Sequence, residues 1–314
     1  MNVIEVQDPG LFTTVQDLGR EGFGPLGVSP SGAADPISLR LGNRLVGNLE
    51  GAAGLEMTLV GGIYRFPGGA VVALTGSDFG ATLDGAPVHP LVSVEARPGQ
   101  TLRLGATRSG ARCYLCVQAG IVVKPFLGSA STHVLSGLGG LEGRPLRRGD
   151  KLSLGSATRS FRKRTIASQA VDCLSPRKVL RVTPGPQSDW FPESTQRLFY
   201  GGAYRVLEES NRMGLRLQGT PVPPRSGGQM ITEGISLGAI QVPTGGQPII
   251  LFVEQQTTGG YPKIANVISA DLSCVGQLRP NNVVEFELVS AENAQSLIQE
   301  QEELLHEIAV LLGA

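Results

Sequence analysis

The sequence predicts a mainly β protein made of two related β-rich domains followed by a C-terminal helix, and three observations carry this. Glycine (43) and proline (21) are abundant in the 314 residues while charged residues make up only 17%, the profile of many short strands joined by tight turns. Apolar runs of strand length recur along the whole chain, each stopped by Gly, Pro or Asn-Asn. The chain also repeats itself in order. VQDPG (6–10) resembles VTPG (182–185), LRLGN (39–43) resembles LRLQG (215–219), VVALTG (71–76) resembles IILFVE (249–254), and RPGQTLRL (97–104) resembles RPNNVVEF (279–286). The offset grows only from 175 (Pro9 to Pro184) to 182 (Arg97 to Arg279), as a duplicated domain requires. The polar stretch 156–169 is the natural boundary, so the expected domains are 1–165 and 170–290, with a helix over 291–314.

The strands are read in chain order from VIEV, GIYRF, VVALTG, LRLG, RCYLCVQAG and KLSLG in the first half, and KVLRVTPG, AIQV, PIILFV and VVEFELV in the second. Two segments change period. Asp35 is an N-cap residue, Pro36 suits the first helical position, Ile37, Leu41 and Leu45 recur every four residues, and Gly47 stops the run. In the tail, Ser290 caps a helix whose Leu297, Ile298, Leu304, Leu305, Ile308, Leu311 and Leu312 form one apolar stripe. That stripe is expected to pack on protein, either its own domain or a neighbouring polypeptide, because its exposure would promote aggregation.

Composition excludes several functions. Lys+Arg and Asp+Glu are both 27 and no basic stripe with interleaved aromatics occurs, which argues against nucleic acid. No apolar run reaches 18 residues, and the start MNVIEVQDPG lacks the basic region of a signal peptide. The four cysteines are Cys113, Cys116, Cys173 and Cys274. Only CYLC has a metal-like spacing, but in a strand those two thiols face opposite sides. They read as core thiols of a cytoplasmic protein. His89, His133 and His306 are far apart, which leaves no signal for a triad or a zinc centre. GFGPLG (22–27) matches a dinucleotide fingerprint only formally, since Pro25 interrupts it and no strand-turn-helix surrounds it.

Four loops are richer in polar and small residues than a turn needs. TTVQDLGR (13–20) places Gln16, Asp17 and Arg20 together; GVSPSGAAD (27–35) offers Ser29 and Ser31 before a helix; 127–144 is a Gly/Ser loop ending in Arg144; and QQTTGGYPKIA (255–265) joins Thr257, Thr258, Gly259, Gly260 and Tyr261 to Lys263. Glycine admits close approach of backbone N–H groups, threonine adds hydroxyl donors, and Lys or Arg binds carboxylate or phosphate. The last loop is expected to form an oxyanion-and-carboxylate cradle at the end of a buried strand. Its glycines would aim amides at one point, Pro262 would hold the chain so that Lys263 faces the same cavity, and Lys263 would carry little weight in stability, as a surface-type lysine does; the rival view is a solvated surface charge. Plain turns remain the alternative for each loop taken singly.

The stretches TTVQDLGR, GVSPSGAADPISLRLGNRLVGN, ALTGSDFGATLDG, GPQSDWF, NRMGLRL, GAIQVPTGGQPIIL and QTTGGYPKIA together resemble the KipA family, also called allophanate hydrolase subunit 2 or the biotin-dependent carboxyltransferase family. The resemblance covers about residues 3 to 290. It implies two cyclophilin-like β-barrel domains. It further implies one component of a bacterial ATP-dependent 5-oxoprolinase, acting with a KipI-like B component and an A component to open 5-oxoproline to L-glutamate and inactive alone. No tightly bound cofactor or metal is expected. ATP is used by the assembled complex, and biotin enters only if the chain is instead a carboxyltransferase component of the urea carboxylase/allophanate type. A third alternative is a regulatory partner of a KipI-like kinase inhibitor. On the enzyme reading, Lys263, Thr257, Thr258 and Arg20 are the candidate catalytic groups. Gly259, Gly260, Tyr261, Gln16, Asp17, Ser29, Ser31, Arg144 and Glu233 are the candidate substrate-binding ones. The chain departs from the family where Glu254 and Gln255 replace the usual Asp-Arg pair, and where Thr232 precedes Glu233 in place of Ser.

Overall fold

A computed structural model describes residues 2–156, 161–225 and 230–313, so residues 157–160 of the expected boundary stretch lie outside the described ones. The chain forms two compact units. The first comprises the residues up to Arg20, Ser31–Ser175 and the tail from Glu303; the second comprises Glu21–Pro30 and Pro176–Glu302. Among the described residues no helix is long and apolar enough to cross a membrane.

In the first unit the strands fall into two sheets. One has the order Ile121–Val122, Lys151–Leu154, Val3–Asp8, Ile63–Arg65, Thr101–Arg103, Thr82–Leu83, Ala86–Pro87; the other has Phe12–Gln16, Gly54–Thr58, Arg112–Val117, Ala70–Gly76, Ser93–Ala96. The chain changes sheet at glycine corners. Between Val3–Asp8 and Phe12–Gln16, Pro9 has no N–H for a ladder, and Gly10 (φ 72) donates to Asp8 Oδ1 at 2.8 Å. A Cβ on Gly10 would lie 2.5 Å from the carbonyl oxygens of Val60 and Gly61, at the second corner, so the two turns meet backbone to backbone. Such bends let one chain feed two packed sheets. Ile4, Tyr64 and Leu102 from one sheet and Val15, Leu55 and Leu115 from the other share one core.

The opposite face of the five-stranded sheet carries the helix Pro36–Val46. Asp35 Oδ1 accepts from Ser38 N at 3.0 Å, Pro36 takes the first position, and Gly47 ends the helix at φ 79, all as the sequence indicates. Leu39 and Leu45 join Ala73, Tyr114 and Cys116 in a second core. Cys113 belongs to the first core and Cys116 to the second, so the CYLC thiols do face opposite sides. Burial pushes both thiols well above their ordinary range.

The second unit is a closed barrel. In ring order its strands are Val179–Pro184, Lys263–Val267, Ala239–Gln241, Ile249–Leu251, Gly214–Gln218, Ala203–Val206 and Val283–Leu288. The first and last strands of the unit pair in parallel, Leu180 with Phe286, and this closes the ring. Alternate residues point inward, as a barrel demands: Leu180 and Val182, Tyr204 and Val206, Leu215 and Leu217, Val284 and Phe286 are buried. Closure leaves no edge strand in the ring.

Two sequence expectations are corrected. LRLGN (39–43) lies in a helix and LRLQG (215–219) in a strand, so these segments are not equivalent. In the helix Leu39 and Leu41 are both buried in the same core, whereas Arg216 points out between inward leucines. In the tail helix Ala291–Leu311, Ser290 Oγ does cap, accepting from Asn293 N at 3.1 Å, but Leu311 is 84% exposed and leaves the stripe. Leu305, Ile308 and Leu312 instead join the helix-side core of the first unit.

Candidate functional site

Polar loops stand at two loci, one in each unit. In the first, strand Phe12–Gln16 delivers a buried Gln16, whose Nε2 donates to Thr14 Oγ1 (3.0 Å) and to Thr132 O (3.1 Å). Asp17 ties its own loop to the 129–131 segment. Its Oδ1 accepts from Ser131 Oγ (2.5 Å), Ser129 Oγ (2.6 Å) and Gly19 N (2.8 Å), and its Oδ2 from Ala130 N (2.6 Å). Arg20, also buried, donates to Phe126 O (3.3 Å) and Ser131 O, with its guanidinium 5.5 Å from the Phe126 ring centre. Asp17 and Arg20 thus brace the 126–131 loop from one side. Two polar atoms at this locus have no partner among the described residues: Gln16 Oε1, and Oγ of Ser31, a residue held at φ 55.

Arg144 is not part of this arrangement. Its guanidinium is held by Asp150 (2.8 and 3.0 Å), Glu142 (2.9 and 3.0 Å) and Pro145 O (3.1 Å). The Asp150 carboxylate chiefly raises the Arg144 pKa, and Arg144 in turn holds Asp150 below the usual carboxylate range. Its hydrogen-bonding capacity is taken up in shaping its own loop. Ser29 falls in the segment that belongs to the second unit. It is buried, and its Oγ has no partner among the described residues.

The second locus surrounds Lys263, at the start of a barrel strand. The sequence expectation of a lysine with the little weight of a surface-type one is corrected: Lys263 is 2% exposed. Barrel closure explains this, since Lys263 lies between Gln241 on one side and the Gly185–Gln187 turn on the other. A Cβ on Gly185 would come 2.3 Å from Lys263 O. Gln187 is pinned to the lysine main chain: its N donates to Lys263 O (3.3 Å), and its Oε1 accepts from Lys263 N (3.2 Å). The Lys263 ammonium is ion-paired with Glu233 Oε1, and the same oxygen accepts from Gln187 Nε2 at 2.9 Å. Lys263 first, and Gln187 second, hold the Glu233 carboxyl below the usual carboxylate range.

The Thr-Thr-Gly-Gly segment is arranged otherwise than expected. Thr258–Gly259 forms a ribbon with Glu233–Gly234, and Ile235 N donates to Thr257 O (3.0 Å) and Met230 N to Gly260 O (3.1 Å). The segment therefore positions Glu233 through main-chain pairing. Gly259 packs closely, since a Cβ there would lie 2.5 Å from Ile235 Cδ1 and 2.7 Å from Gln241 Nε2, and these side-chain ends would have to shift. Thr257 is half-buried, and Thr258 and Tyr261 are exposed.

Next to the ribbon, Glu254 and Gln255 are buried. Arg212 Nε donates to Glu254 Oε1 at 2.5 Å, with both side chains nearly inaccessible (6% and 4%). The Gln255 amide faces the 235–237 backbone. In the orientation that matches donors to acceptors, it donates to Ser236 O and accepts from Leu237 N, both at 3.1 Å. A neutral side chain thus holds the segment after Glu233 where the family pattern has a cation. Arg212→Ala leaves the Glu254 carboxylate buried without this charge partner and is expected to destabilise the protein by about 3–5 kcal/mol. Urea denaturation checks this, and a loss under about 1 kcal/mol would show that the pair is dispensable.

Gln187 and Arg212 were missed by sequence reasoning. Both lie in segments quoted for the family resemblance, GPQSDWF and NRMGLRL, and both flank strands. Polarity beside a strand end was the available signal, but it does not identify a partner 76 residues away, as for Gln187 and Lys263.

Comparison with known proteins gives a consistent picture. The family model described as "Carboxyltransferase domain, subdomain A and B" matches residues 26–288. The chain is 38% identical over 307 residues to the C component of 5-oxoprolinase from Escherichia coli, covering 98% of both chains. It is 36% identical to the protein of that name from Haemophilus influenzae, covering 98% of this chain and 97% of the other. Among solved structures it matches the K. lactis urea amidolyase with a TM-score of 0.91 and 33% identity, over 98% of this chain and 20% of that one.

Proposed function

We propose, since this chain belongs to the carboxyltransferase-domain family of subdomains A and B, that it is the C component of a bacterial 5-oxoprolinase. The observation that carries this reading is the end-to-end correspondence with the Escherichia coli protein of that name, 98% of each chain at 38% identity. In this reading the chain works with a KipI-like B component and an A component, the assembly uses ATP, and the substrate is 5-oxoproline, opened to L-glutamate. The Lys263 locus supplies the electrostatics. Opening a lactam places negative charge on a carbonyl oxygen, and the substrate brings a carboxylate of its own. A buried ammonium, with the Gln187 amide beside it, is suited to hold either oxygen, because charge interactions strengthen away from water.

The second reading is carboxyl transfer to a urea-like amide, with biotin as the carrier. Its support is the urea amidolyase likeness, in which a fifth of a larger chain corresponds to this one. One experiment separates the two. The chain is assayed with and without its B and A partners for 5-oxoproline-dependent ATP hydrolysis. Activity is expected only in the full mixture. Transfer of the carboxyl group from carboxybiotin to urea, giving carboxylated urea and free biotin, with no response to 5-oxoproline, would establish the second reading, and robust 5-oxoprolinase turnover by this chain alone would overturn the need for partners.

A further inference from the structure

We propose that Glu233 is a built-in stand-in for a ligand carboxylate: it occupies a two-donor anion cradle formed by Lys263 Nζ and Gln187 Nε2, and a small carboxylate takes its place when the ribbon carrying Glu233 moves aside. The inference rests on the reading of Lys263 as a functional group and names the chemistry that it binds.

The donors and the acceptor are held very differently. Lys263 and Gln187 are buried, and Gln187 is tied to the Lys263 main chain at the end of the barrel twice, its N donating to Lys263 O and its Oε1 accepting from Lys263 N. Their geometry is set before any anion arrives, which is what makes a binding site rigid. Glu233 sits on a two-residue strand whose only strand partner among the described residues is Thr258–Gly259. Its side chain is 40% exposed. One carboxylate oxygen receives both donors, and the other has no partner among the described residues. Besides Glu233, the Lys263 ammonium has no partner among the described residues.

The same unit also holds an ion pair that is buried on both sides. Arg212 and Glu254 are both buried, and Glu254 N also donates to Arg212 O at 2.8 Å. A lysine buried to 2% exposure but neutralised by a half-exposed carboxylate on a thin ribbon departs from that pattern. An ammonium in such a position is costly to leave alone, so whatever displaces Glu233 must bring a negative charge. The cradle takes one oxygen through two donors and leaves the second toward solvent, which fits a carboxylate of a small acid.

Chemical rescue tests this. Glu233→Ala removes the stand-in and leaves the donors, so sodium acetate is expected to raise the melting temperature of this variant relative to sodium chloride at equal ionic strength. Half of the effect should fall at an acetate concentration at least about tenfold below that needed for wild type, where Glu233 competes. The double variant Lys263→Met/Glu233→Ala should not respond. If Glu233→Ala is not recovered folded, Glu233→Gln, which retains an oxygen for Gln187, is measured in the same way. No acetate-specific rise in either variant, or an equal rise in the double variant, would overturn the proposal. L-5-oxoproline is the second probe. Rescue by acetate but not by 5-oxoproline keeps the carboxylate cradle and counts against 5-oxoproline as the substrate.

Discussion

Lys263→Met is expected to lower the turnover of the assembled enzyme by about 10²-fold or more, the scale on which one oriented charge-stabilising donor acts, while the chain remains folded. Methionine matches the length of the lysine stem and fills the same buried volume, and swaps that conserve volume are tolerated best. The contacts of Gln187 with residue 263 use only main-chain atoms of the lysine, so they survive. The carboxylate left behind is 40% exposed and can hydrate, which makes this the safer side of the ion pair to remove. The substitution has a second signature. Glu233 titrates below its ordinary range chiefly because of Lys263. Any stability linked to this depressed pKa is complete above the ordinary glutamate range and lost as pH falls through the folded value. In Lys263→Met the Glu233 titration therefore moves up, observable by NMR of the side-chain carboxyl. Turnover within threefold of wild type, with melting and assembly unchanged, would remove Lys263 from the mechanism.

Deleting residues 303–314 is expected to unfold the first unit or leave it barely stable. Leu305, Ile308 and Leu312 are 2%, 3% and 8% exposed and share a core with Leu39, Leu45 and Tyr114. Truncating a buried leucine or isoleucine costs about 2–5 kcal/mol, so losing three costs on the order of 6 kcal/mol or more, comparable with the whole stability of a domain at about 5–15 kcal/mol. The deletion also removes Leu312 O, which accepts from Arg164 Nε at 3.0 Å. Leu311→Ala is the control, since this side chain is 84% exposed and its loss should leave melting unchanged. A truncated chain that melts within a few degrees of wild type would show that the tail is an accessory to the core.

Much of the local structure was legible because it is governed by neighbours in sequence. Asp35, Pro36 and Gly47 mark a helix by the backbone groups that they satisfy or free. Ser290 does the same for the tail helix. Period-two patterns such as VLRVTP and VVEFEL announce inward and outward faces, and the spacing in CYLC assigned its two thiols to opposite sides through strand alternation alone. The long family motifs were equally plain, and with them the loop that carries Lys263.

What the tertiary structure alone decided concerns partners distant in sequence. The LRL match placed a helix beside a strand in the repeat, since three alternating letters carry no period long enough to choose between them. Thr257–Tyr261 looked like an amide cradle, yet its backbone forms a ribbon whose role is to present Glu233. Lys263 was expected to carry as little weight in stability as a surface-type lysine, because lysine is mostly exposed; it is buried because the ring closes around it and Glu233, 30 residues earlier, supplies the counter-charge. Sequence determined the elements and the chemistry available at their ends. Which ends meet, and which charges are thereby withdrawn from water, follows from barrel closure, a long-range packing outcome that no local window of residues encodes.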